Sequence, residues 1–350
     1  MEHLGDLRIC VERPLPTEEH AIGVMENNSH TSGHFQRLQA AFQTSKLWPK
    51  SVKEIKIQFV DPRNYKLNGV VYSDPPRPTW TPLEVFYENK NKLPVDPLEK
   101  ELYGNENFQE VVKRVYMDRI QPIIPFKLRF VEGNGDVRIS FVGGAGSWSS
   151  VGTDCLRSPR DEVTLNYGWI DIPTIIHEFC HVLGMIHEHQ NPKGNTIDWN
   201  EDRVYQWAAQ TQGWDRQTAY DNIIKRYRYD QVNGSDYDPQ SVMLYFFPAY
   251  LVRGPGTQQN MRLSPLDVIW IEKTYAGGAE SPSKFYKSAY GESIDETGGR
   301  YMGKKGGGVT IVDTVKSRHF WLIVIIAALV IILALAIWYL FIKKNKKRRR

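Results

Sequence analysis

A run of histidines with one glutamate, between Ile175 and His189, could hold a metal ion. His177 and His181 are four residues apart, so on a helix their side chains lie on one face, one turn apart. Glu178 directly follows the first histidine, where its carboxylate could act as a general base on a metal-bound water. Two imidazoles and a carboxylate at this spacing are typical of a zinc site.

Gly184 and His187 extend this pattern. A glycine three residues after His181 can adopt a positive φ, end the helix and turn the chain back, so that His187 returns as a third ligand. Three neutral imidazoles leave one zinc position open for water, which is typical of a catalytic site. We therefore predict one catalytic Zn²⁺ bound by His177, His181 and His187. The remaining histidines, including His189, lack a ligand spacing, and we expect them at the surface.

The motif H-E-x-x-H-x-x-G-x-x-H resembles the signature of the metzincin zinc metallopeptidases. Glu188 follows the third histidine, as in the astacin branch, and residues 241–245 match the S-x-M-x-Y form of the metzincin Met-turn. The resemblance implies that Met243 is the hydrophobic floor of the metal site. It also implies that the Tyr245 phenol moves between the metal and the transition-state oxyanion. Taken alone, each of these two residues is better explained as an ordinary core residue. Together, at this distance after the zinc helix, they favour the functional interpretation.

Two features differ from the astacin pattern. Astacins continue after the third histidine with E-H-x-R and an acidic run, whereas residues 190–193 read Q-N-P-K here. Astacin catalytic domains carry four cysteines in two disulfides, but this chain has three cysteines in all. The resemblance covers roughly residues 50 to 278. It leaves astacin-like and matrixin-like membership open.

Apolar periodicity predicts the elements that would position the site. Alternating apolar residues predict strands over 54–60, 126–131 and 137–142, and a helical spacing predicts a helix over 106–120. The proline-rich residues 61–104 are expected to form surface loops.

The order of these elements predicts an α+β fold of the metzincin type. Asp171 and Pro173 mark the start of the zinc helix as its N-cap region and early proline. Further helices follow the third histidine. We expect a twisted mixed sheet with an antiparallel edge strand, the zinc helix, and a mainly helical C-terminal subdomain.

The segment before the zinc helix lines the substrate cleft in metzincins. By the resemblance, Val163–Trp169 would be an antiparallel edge strand. Its unpaired backbone groups could hold a polypeptide substrate in an extended conformation. The glycine-rich loop 143–154 lacks the lysine and spacing of a phosphate-binding loop.

Residues 1–48 precede the predicted catalytic domain, which covers residues 49–278. This polar arm has no apolar stretch of signal-peptide type and is consistent with disorder or loose packing. The alternative is a prosegment that blocks the zinc, for which Cys10 and the Gly5-Asp6 pair are the only candidates.

The C-terminal residues predict a membrane anchor. Residues 279–318 are polar and glycine-rich, which indicates a flexible stalk. Residues 320–342 contain no charged side chain, and a helix of this length would extend about 34 Å, enough to cross a bilayer. We therefore predict a transmembrane helix over 319–342 and a basic tail over 343–350.

Net charge bears on partners and on topology. The formal net charge is +4, but the tail over 343–350 contributes seven positive charges, so the rest of the chain is net −3. Nucleic-acid binding is therefore not expected. The basic tail favours a cytoplasmic C-terminus and an extracellular or lumenal catalytic domain. The lack of a signal peptide and the few cysteines favour the opposite orientation.

These features predict a membrane-anchored zinc endopeptidase. Glu178 would be the general base, and Tyr245 would stabilise the oxyanion. One alternative is a membrane-anchored binding or structural protein that keeps zinc for stability without turnover. Another is a hydrolase that acts on a bond other than the peptide bond.

Overall fold

A computed structural model describes residues 42–87, 94–193, 197–233, 236–275, 280–294 and 300–301. The chain divides into two compact units, Met1–Gly298 and Gly299–Arg350. In the second unit only a two-residue strand, Arg300–Tyr301, is described.

A mixed five-stranded sheet forms one layer of the domain. Four of its strands are parallel to one another, and the fifth, at one edge, is antiparallel to its neighbour. Its strands are β2 Glu54–Phe59, β3 Lys127–Phe130, β4 Val137–Ser140, β5 Trp148–Ser149 and β6 Leu165–Asn166, and the two-residue strand β1 Phe42–Gln43 lies outside this sheet. The order across the sheet is β3-β2-β4-β6-β5.

The antiparallel edge strand is present, but it is β5 and not the predicted Val163–Trp169. The strand within that segment, β6, is hydrogen-bonded to β4 on one side and to β5 on the other. Its backbone therefore offers no open edge to a substrate. The prediction was wrong because the glycine-rich loop before it supplies two extended residues, Trp148 and Ser149, that fold back onto it.

Helices cover the sheet and form most of the C-terminal half. The helix predicted over 106–120 begins at Phe108 and continues through a wider π turn to Ile120. The helices are α1 Glu84–Tyr87, α2 Pro97–Leu102, α3 Phe108–Val115, α4 Asp154–Arg157, α5 Ile172–Val182, α6 Glu201–Thr211, α7 Arg216–Ala219, α8 Pro265–Tyr275 and α9 Pro282–Tyr290. The predicted surface loops over 61–104 thus contain α1 and α2.

Helix α5 carries the first two candidate ligands and runs through the middle of the core. Ten of its eleven residues are buried, so it is apolar on nearly every side. Phe179 packs against Tyr116 of the neighbouring π turn, with ring centroids 4.2 Å apart. Burial on all sides fixes the helix position, and with it the direction of its histidines.

The boundaries of the folded domain are wider than the sequence predicted. Phe42 and Trp48 belong to the main hydrophobic core, so the last residues of the predicted N-terminal arm are part of the domain. Helix α9 lies within the predicted stalk, yet Phe285 and Tyr286 are buried in the same core. The prediction of a flexible segment was wrong for residues 280–294 because aromatic side chains there pack against α8.

No helix among the described residues is long and apolar enough to cross a membrane. The predicted transmembrane helix over 319–342 and the basic tail over 343–350 lie outside those residues, as do Cys10 and the Gly5-Asp6 pair. The proposed stalk beyond Tyr301 lies outside them too.

Candidate metal centre

The three predicted ligands come together in the structure. One side-chain nitrogen from each of His177, His181 and His187 lies within 4.8 Å of the other two. The ring centroids are between 4.6 and 5.4 Å apart, and all three side chains are buried. This is the only group of three or more metal-binding side chains found among the described residues.

Backbone carbonyls orient the first two rings. Nδ1 of His177 lies 2.9 Å from the Val242 carbonyl, and Nδ1 of His181 lies 2.8 Å from the Met185 carbonyl. Because a carbonyl can only accept, each Nδ1 carries the proton and each Nε2 keeps its lone pair. Nε2 of His177 is buried and has no hydrogen-bond partner in the described part of the chain. Such an inward-facing lone pair fits a zinc ion.

Burial keeps the imidazoles of His177 and His187 in the neutral form, which is the form that binds a metal. Loss of solvation, together with the neighbouring His181, lowers the pKa of His177 to about 3. The same two causes hold the pKa of His187 well below its usual value. Both rings are therefore neutral near pH 7, as a zinc ligand requires.

Gly184 ends the ligand helix in the predicted way. Its φ is +88°, and its N–H donates to the His181 carbonyl while Met185 N–H donates to the Cys180 carbonyl. These two bonds form a Schellman motif. The turn brings the Met185 carbonyl back to His181, so the same turn ends the helix and orients a ligand.

Distant residues satisfy the remaining carbonyls at the end of α5. Nε1 of Trp48 donates to the Val182 carbonyl at 2.7 Å, and the hydroxyl of Tyr275 donates to the Leu183 carbonyl. Helix ends leave such carbonyls without partners inside the helix. The N-terminal and C-terminal parts of the domain therefore both stabilise the ligand helix.

Acidic side chains organise the start of α5. Asp171 accepts a hydrogen bond from the Thr174 N–H at 2.7 Å, which confirms it as the N-cap, and a second from the Thr81 hydroxyl at 2.6 Å. The carboxyl of Glu99, from α2, accepts the Ile172 N–H at 2.7 Å. Burial and the nearby Asp171 raise the pKa of Glu99 to about 8.

Hydrogen bonds from the predicted Met-turn, residues 241–245, to Asp267 of α8 fix the position of the turn. The Asp267 carboxylate accepts hydrogen bonds from the Ser241 hydroxyl at 2.7 Å and from the Val242 N–H at 2.9 Å. Met243 is fully buried, and its carbonyl accepts the Glu188 N–H at 2.9 Å. The turn is therefore bonded to the segment that carries the third ligand.

Glu188 also holds this segment through its side chain. One of its carboxyl oxygens accepts hydrogen bonds from Asn191 Nδ2 at 2.9 Å and from the Asp238 N–H at 2.8 Å. Burial raises the pKa of Glu188 well above its usual value. Its position, away from solvent and bonded to the backbone, is that of a structural residue.

Tyr245 and Glu178 lie next to the ligands. The Tyr245 hydroxyl hydrogen-bonds to Nε2 of His187, and its ring lies against that imidazole with centroids 4.4 Å apart. Glu178 is fully buried beside His177, and both line the same cavity as Tyr245. Tyr245 thus contacts the third imidazole, and Glu178 lines the cavity next to the first.

His189 is buried, not exposed as predicted. Its ring stacks on His187 at 5.3 Å with an interplanar angle of 20°, and its Nε2 hydrogen-bonds to the Asn222 carbonyl at 3.1 Å. Trp199 and Phe247 pack on its other sides. The prediction failed because ligand spacing says nothing of a histidine that packs behind a ligand.

A cavity of about 740 Å³ opens beside His177, the first of the three histidines. One wall comes from the segment that contains α1, the other from the residues that follow the Met-turn. Among the described residues, no lysine or arginine lines it, and its only acidic residues are Asp171 and Glu178. Two apolar side chains on its walls are exposed, Val85 at 45% and Phe246 at 40%.

Sequence reasoning missed the residues that hold the site from a distance. Trp48, Glu99, Asp267 and Tyr275 carry no local motif, and each reaches the ligand helix or the Met-turn across many residues of chain. The only sequence signal for such a role is a polar or aromatic residue within an apolar segment, which indicates a buried hydrogen bond but not its partner.

The comparisons with known proteins agree with this geometry. Residues 105–254 match the model of the peptidase family Astacin, and that range contains the histidine triad, Glu178 and Tyr245. Over these residues the chain resembles the astacin-like metzincins. The match favours the astacin branch over the matrixin branch, which the sequence alone had left open. Astacin-family enzymes use one catalytic zinc ion, and the three histidines here lie close enough together to bind one.

Two curated relatives are zinc metalloproteinases of Caenorhabditis elegans. The astacin-like chain is 28% identical to nas-6 over 157 residues, which are 41% of this chain and 42% of that protein. It is 28% identical to nas-37 over 173 residues, or 49% of this chain and 19% of that protein. The match thus spans less than half of either relative.

A solved structure of myroilysin shares the fold. The identity is 28%, the TM-score is 0.50, and the match covers 68% of this chain and 99% of that one. The likeness supports the metzincin architecture predicted from the zinc motif and the Met-turn.

Proposed function

We propose that this chain is a zinc-dependent endopeptidase. The observation that carries the proposal is the convergence of three buried histidines next to a cavity that His177 and Glu178 line. A structural zinc site would have four protein ligands and no access for substrate. Here His177, Glu178 and Tyr245 line a cavity that is large enough for part of a polypeptide to enter.

The chain's own residues would divide the chemistry among them. A bound zinc ion would supply Lewis acidity, which activates a water and polarises the scissile carbonyl. The Glu178 carboxylate takes the proton from the attacking water and passes it to the leaving amine. The Tyr245 hydroxyl donates a hydrogen bond to the oxygen on which negative charge develops.

The cavity indicates which substrates fit. Its walls are mainly apolar and aromatic, and its described lining residues include two carboxyl groups and no cationic side chain. An acidic side chain of the substrate would therefore find no lysine or arginine to pair with there. We infer that the substrate lies extended across the cavity and places an apolar side chain against Val85 or Phe246. Strand β6, with both edges paired, has no part in this binding.

A peptide library tests the proposed activity. The full chain, loaded with zinc, is incubated with a mixture of peptides of random sequence, with and without a chelator. We expect internal cleavage that the chelator abolishes and added zinc restores. Zinc binding without cleavage of any peptide would contradict the proposal and support a structural role for zinc. A parallel incubation with ester substrates separates a hydrolase of another bond, which would cleave the esters and leave the peptides intact.

We further propose that residues 320–342 anchor the enzyme in a membrane. Their composition and the basic residues at 343–350 support a single span with its C-terminus in the cytoplasm. The catalytic domain would then face the outside or a lumen. Alkaline extraction of membranes and protease protection of the catalytic domain test the two points separately. A charged pair, Leu333→Arg with Leu335→Arg, should release the chain.

A further inference from the structure

One face of the ligand helix α5 lines the cavity beside the metal site. Asp171, Thr174 and Glu178 belong to this face, because helix residues separated by three, four or seven positions lie on the same side. The N-cap Asp171 and the proposed base Glu178 are seven positions apart, which corresponds to about 10 Å along the helix axis. The two carboxyl groups of the cavity therefore lie at separate points of its wall.

The carboxylate of Asp171 lies between two other residues of this wall. Its Oδ1 accepts the Thr174 N–H at 2.7 Å, and its Oδ2 accepts the Thr81 hydroxyl at 2.6 Å. Both partners line the same cavity as Asp171. Thr81 is fixed in turn, since its N–H donates to the Ile170 carbonyl at 2.9 Å. The direction of the carboxylate is therefore set, and each of its oxygens keeps a second lone pair for a ligand.

The charge of this carboxylate is not neutralised by a cationic side chain. In the part of the chain that the structure describes, Asp171 forms no ion pair, and no lysine or arginine lines the cavity. The positive end of α5 offsets about half of an elementary charge. The wall around Asp171 therefore keeps a net negative charge, which attracts a cation.

A basic side chain of a substrate fits this wall. Lysine and arginine carry a positive charge at the end of an apolar stem, so the stem can pack on the mainly apolar walls while the charged end reaches the carboxylate. A peptide in the extended conformation rises by about 3.3 Å per residue. The distance between Asp171 and Glu178 along the helix thus corresponds to about three residues of substrate.

We propose that Asp171 is a specificity-determining residue that binds a lysine or arginine of the substrate, within about three residues of the scissile bond. This inference rests on the proposed peptidase function and narrows its substrate class. The contact is a charge-assisted hydrogen bond, which is stronger than one between neutral groups. The apolar side chain expected against Val85 or Phe246 comes from another position of the same peptide.

Matched peptides test the proposal without a variant. The full chain, loaded with zinc, is given peptides that differ in one residue, which is lysine, Nε-acetyl-lysine or norleucine, placed in turn at each position near the scissile bond. At one position, kcat/KM should be about 10-fold higher for lysine than for the two neutral residues, because a hydrogen bond between charged groups contributes more than a neutral one. Equal values at every position would show that the proposal is wrong.

Asp171→Asn assigns the preference to this residue. Asparagine caps helices about as well as aspartate, so the start of α5 is kept while the charge is removed. The preference for lysine should then be lost. The matched control is Asp215→Asn, because Asp215 is the N-cap of α7, accepts the Thr218 N–H at 2.7 Å in the same way, and does not line the cavity. A lysine preference that persists in both variants would contradict the role of Asp171.

Binding measurements separate this proposal from the peptidase function. In the zinc-loaded Glu178→Gln chain, Asp171 is the one acidic residue left among the described residues that line the cavity. Fluorescence anisotropy of labelled peptides measures affinity there, and the lysine peptide should bind about 10-fold more tightly than the norleucine peptide. Adding Asp171→Asn should abolish the difference.

The two possible failures give different results. If the wild-type chain cleaves no peptide but Glu178→Gln binds the lysine peptide more tightly, the proposed function is wrong and the basic-residue site stands. If peptides are cleaved but the lysine and norleucine peptides bind equally, the site at Asp171 is wrong and the peptidase function stands.

Discussion

The carboxylate of Asp267 lies 2.9 Å from the backbone nitrogen of Val242, on the turn that orients the first ligand. The carbonyl of the same Val242 lies 2.9 Å from Nδ1 of His177. One residue of the Met-turn therefore connects α8 to the first imidazole. A change in α8 is expected to reach the metal centre through this residue.

Replacement of Asp267 by alanine should lower both stability and zinc affinity. The carboxylate accepts buried hydrogen bonds from Ser241, Val242 and Ser264, and the loss of such an acceptor costs about 2–3 kcal/mol. Urea unfolding and chelator competition measure the two effects. The exposed Asp230→Ala is the control, and equal effects from both variants would contradict the role of Asp267.

Glu178→Gln should retain zinc and lose turnover. The amide keeps the size of the side chain but cannot accept the proton of the attacking water, so kcat should fall by about 10²-fold to 10⁴-fold. Zinc content after dialysis and cleavage of a fluorogenic peptide are measured on the same sample. A variant that cleaves at the normal rate would show that Glu178 is not the base.

Tyr245→Phe should lower kcat while zinc affinity stays close to that of the wild type. The hydroxyl stabilises charge that develops during the reaction, and removal of one such donor costs about 10²-fold in kcat. Because the phenyl ring is kept, packing against His187 and His189 is preserved. Steady-state kinetics separate kcat from KM, and an effect confined to KM would assign Tyr245 to substrate binding alone.

Glu99→Gln should make stability less dependent on pH. The pKa of Glu99 is raised in the folded state to about 8, mainly by burial, so the folded carboxyl keeps a proton that the unfolded one has lost. Wild-type stability should therefore fall as pH rises from about 4.5 to 8, by up to about 1.4 kcal/mol per pH unit from this group. The variant lacks this component and should gain stability relative to the wild type over the same window.

Urea unfolding across that pH window tests the Glu99 prediction. Glu101→Gln, on the same helix, is the control because Glu101 is half exposed and forms a surface ion pair with Arg114. Its stability should follow the wild type at every pH. A Glu99→Gln curve parallel to the wild type would show that the carboxyl ionises normally.

Phe246→Arg should move the cleavage preference towards acidic side chains. Phe246 lines a cavity whose described walls hold no lysine or arginine. An exposed arginine at this position would attract a carboxylate by a few tenths to about 1 kcal/mol. For a substrate with an acidic side chain, kcat/KM should therefore rise by up to about fivefold. Tyr229→Arg, at an exposed position outside the cavity, is the control. Matched peptides that differ in one glutamate or leucine provide the comparison, and an unchanged preference would show that this wall does not contact the substrate.

Local features of the site could be predicted from the sequence. The spacing of His177 and His181, the N-cap Asp171 and the helix end at Gly184 depend on neighbours within a few residues, where helix geometry decides the outcome. The strands β2, β3 and β4 likewise followed from alternating apolar residues.

Features that depend on distant pairing could not be predicted. Whether β6 lies at the edge depends on Trp148 and Ser149 folding back, which no periodicity encodes. The burial of His189 depends on packing against Trp199 and on the carbonyl of Asn222. These contacts bring together residues whose individual types carry no signal of their own.

The bonds at both ends of the ligand helix bear on how the protein can be shortened. A fragment restricted to residues 105–254 would contain every zinc donor and the proposed base, but it would lack Trp48, Glu99, Asp267 and Tyr275. Four backbone groups around the ligands would then lose their partners. Expression of residues 105–254 alone should therefore give a chain that has the three histidines but does not hold them in a stable arrangement. A recombinant protein should begin at or before Phe42 and extend through Ile294.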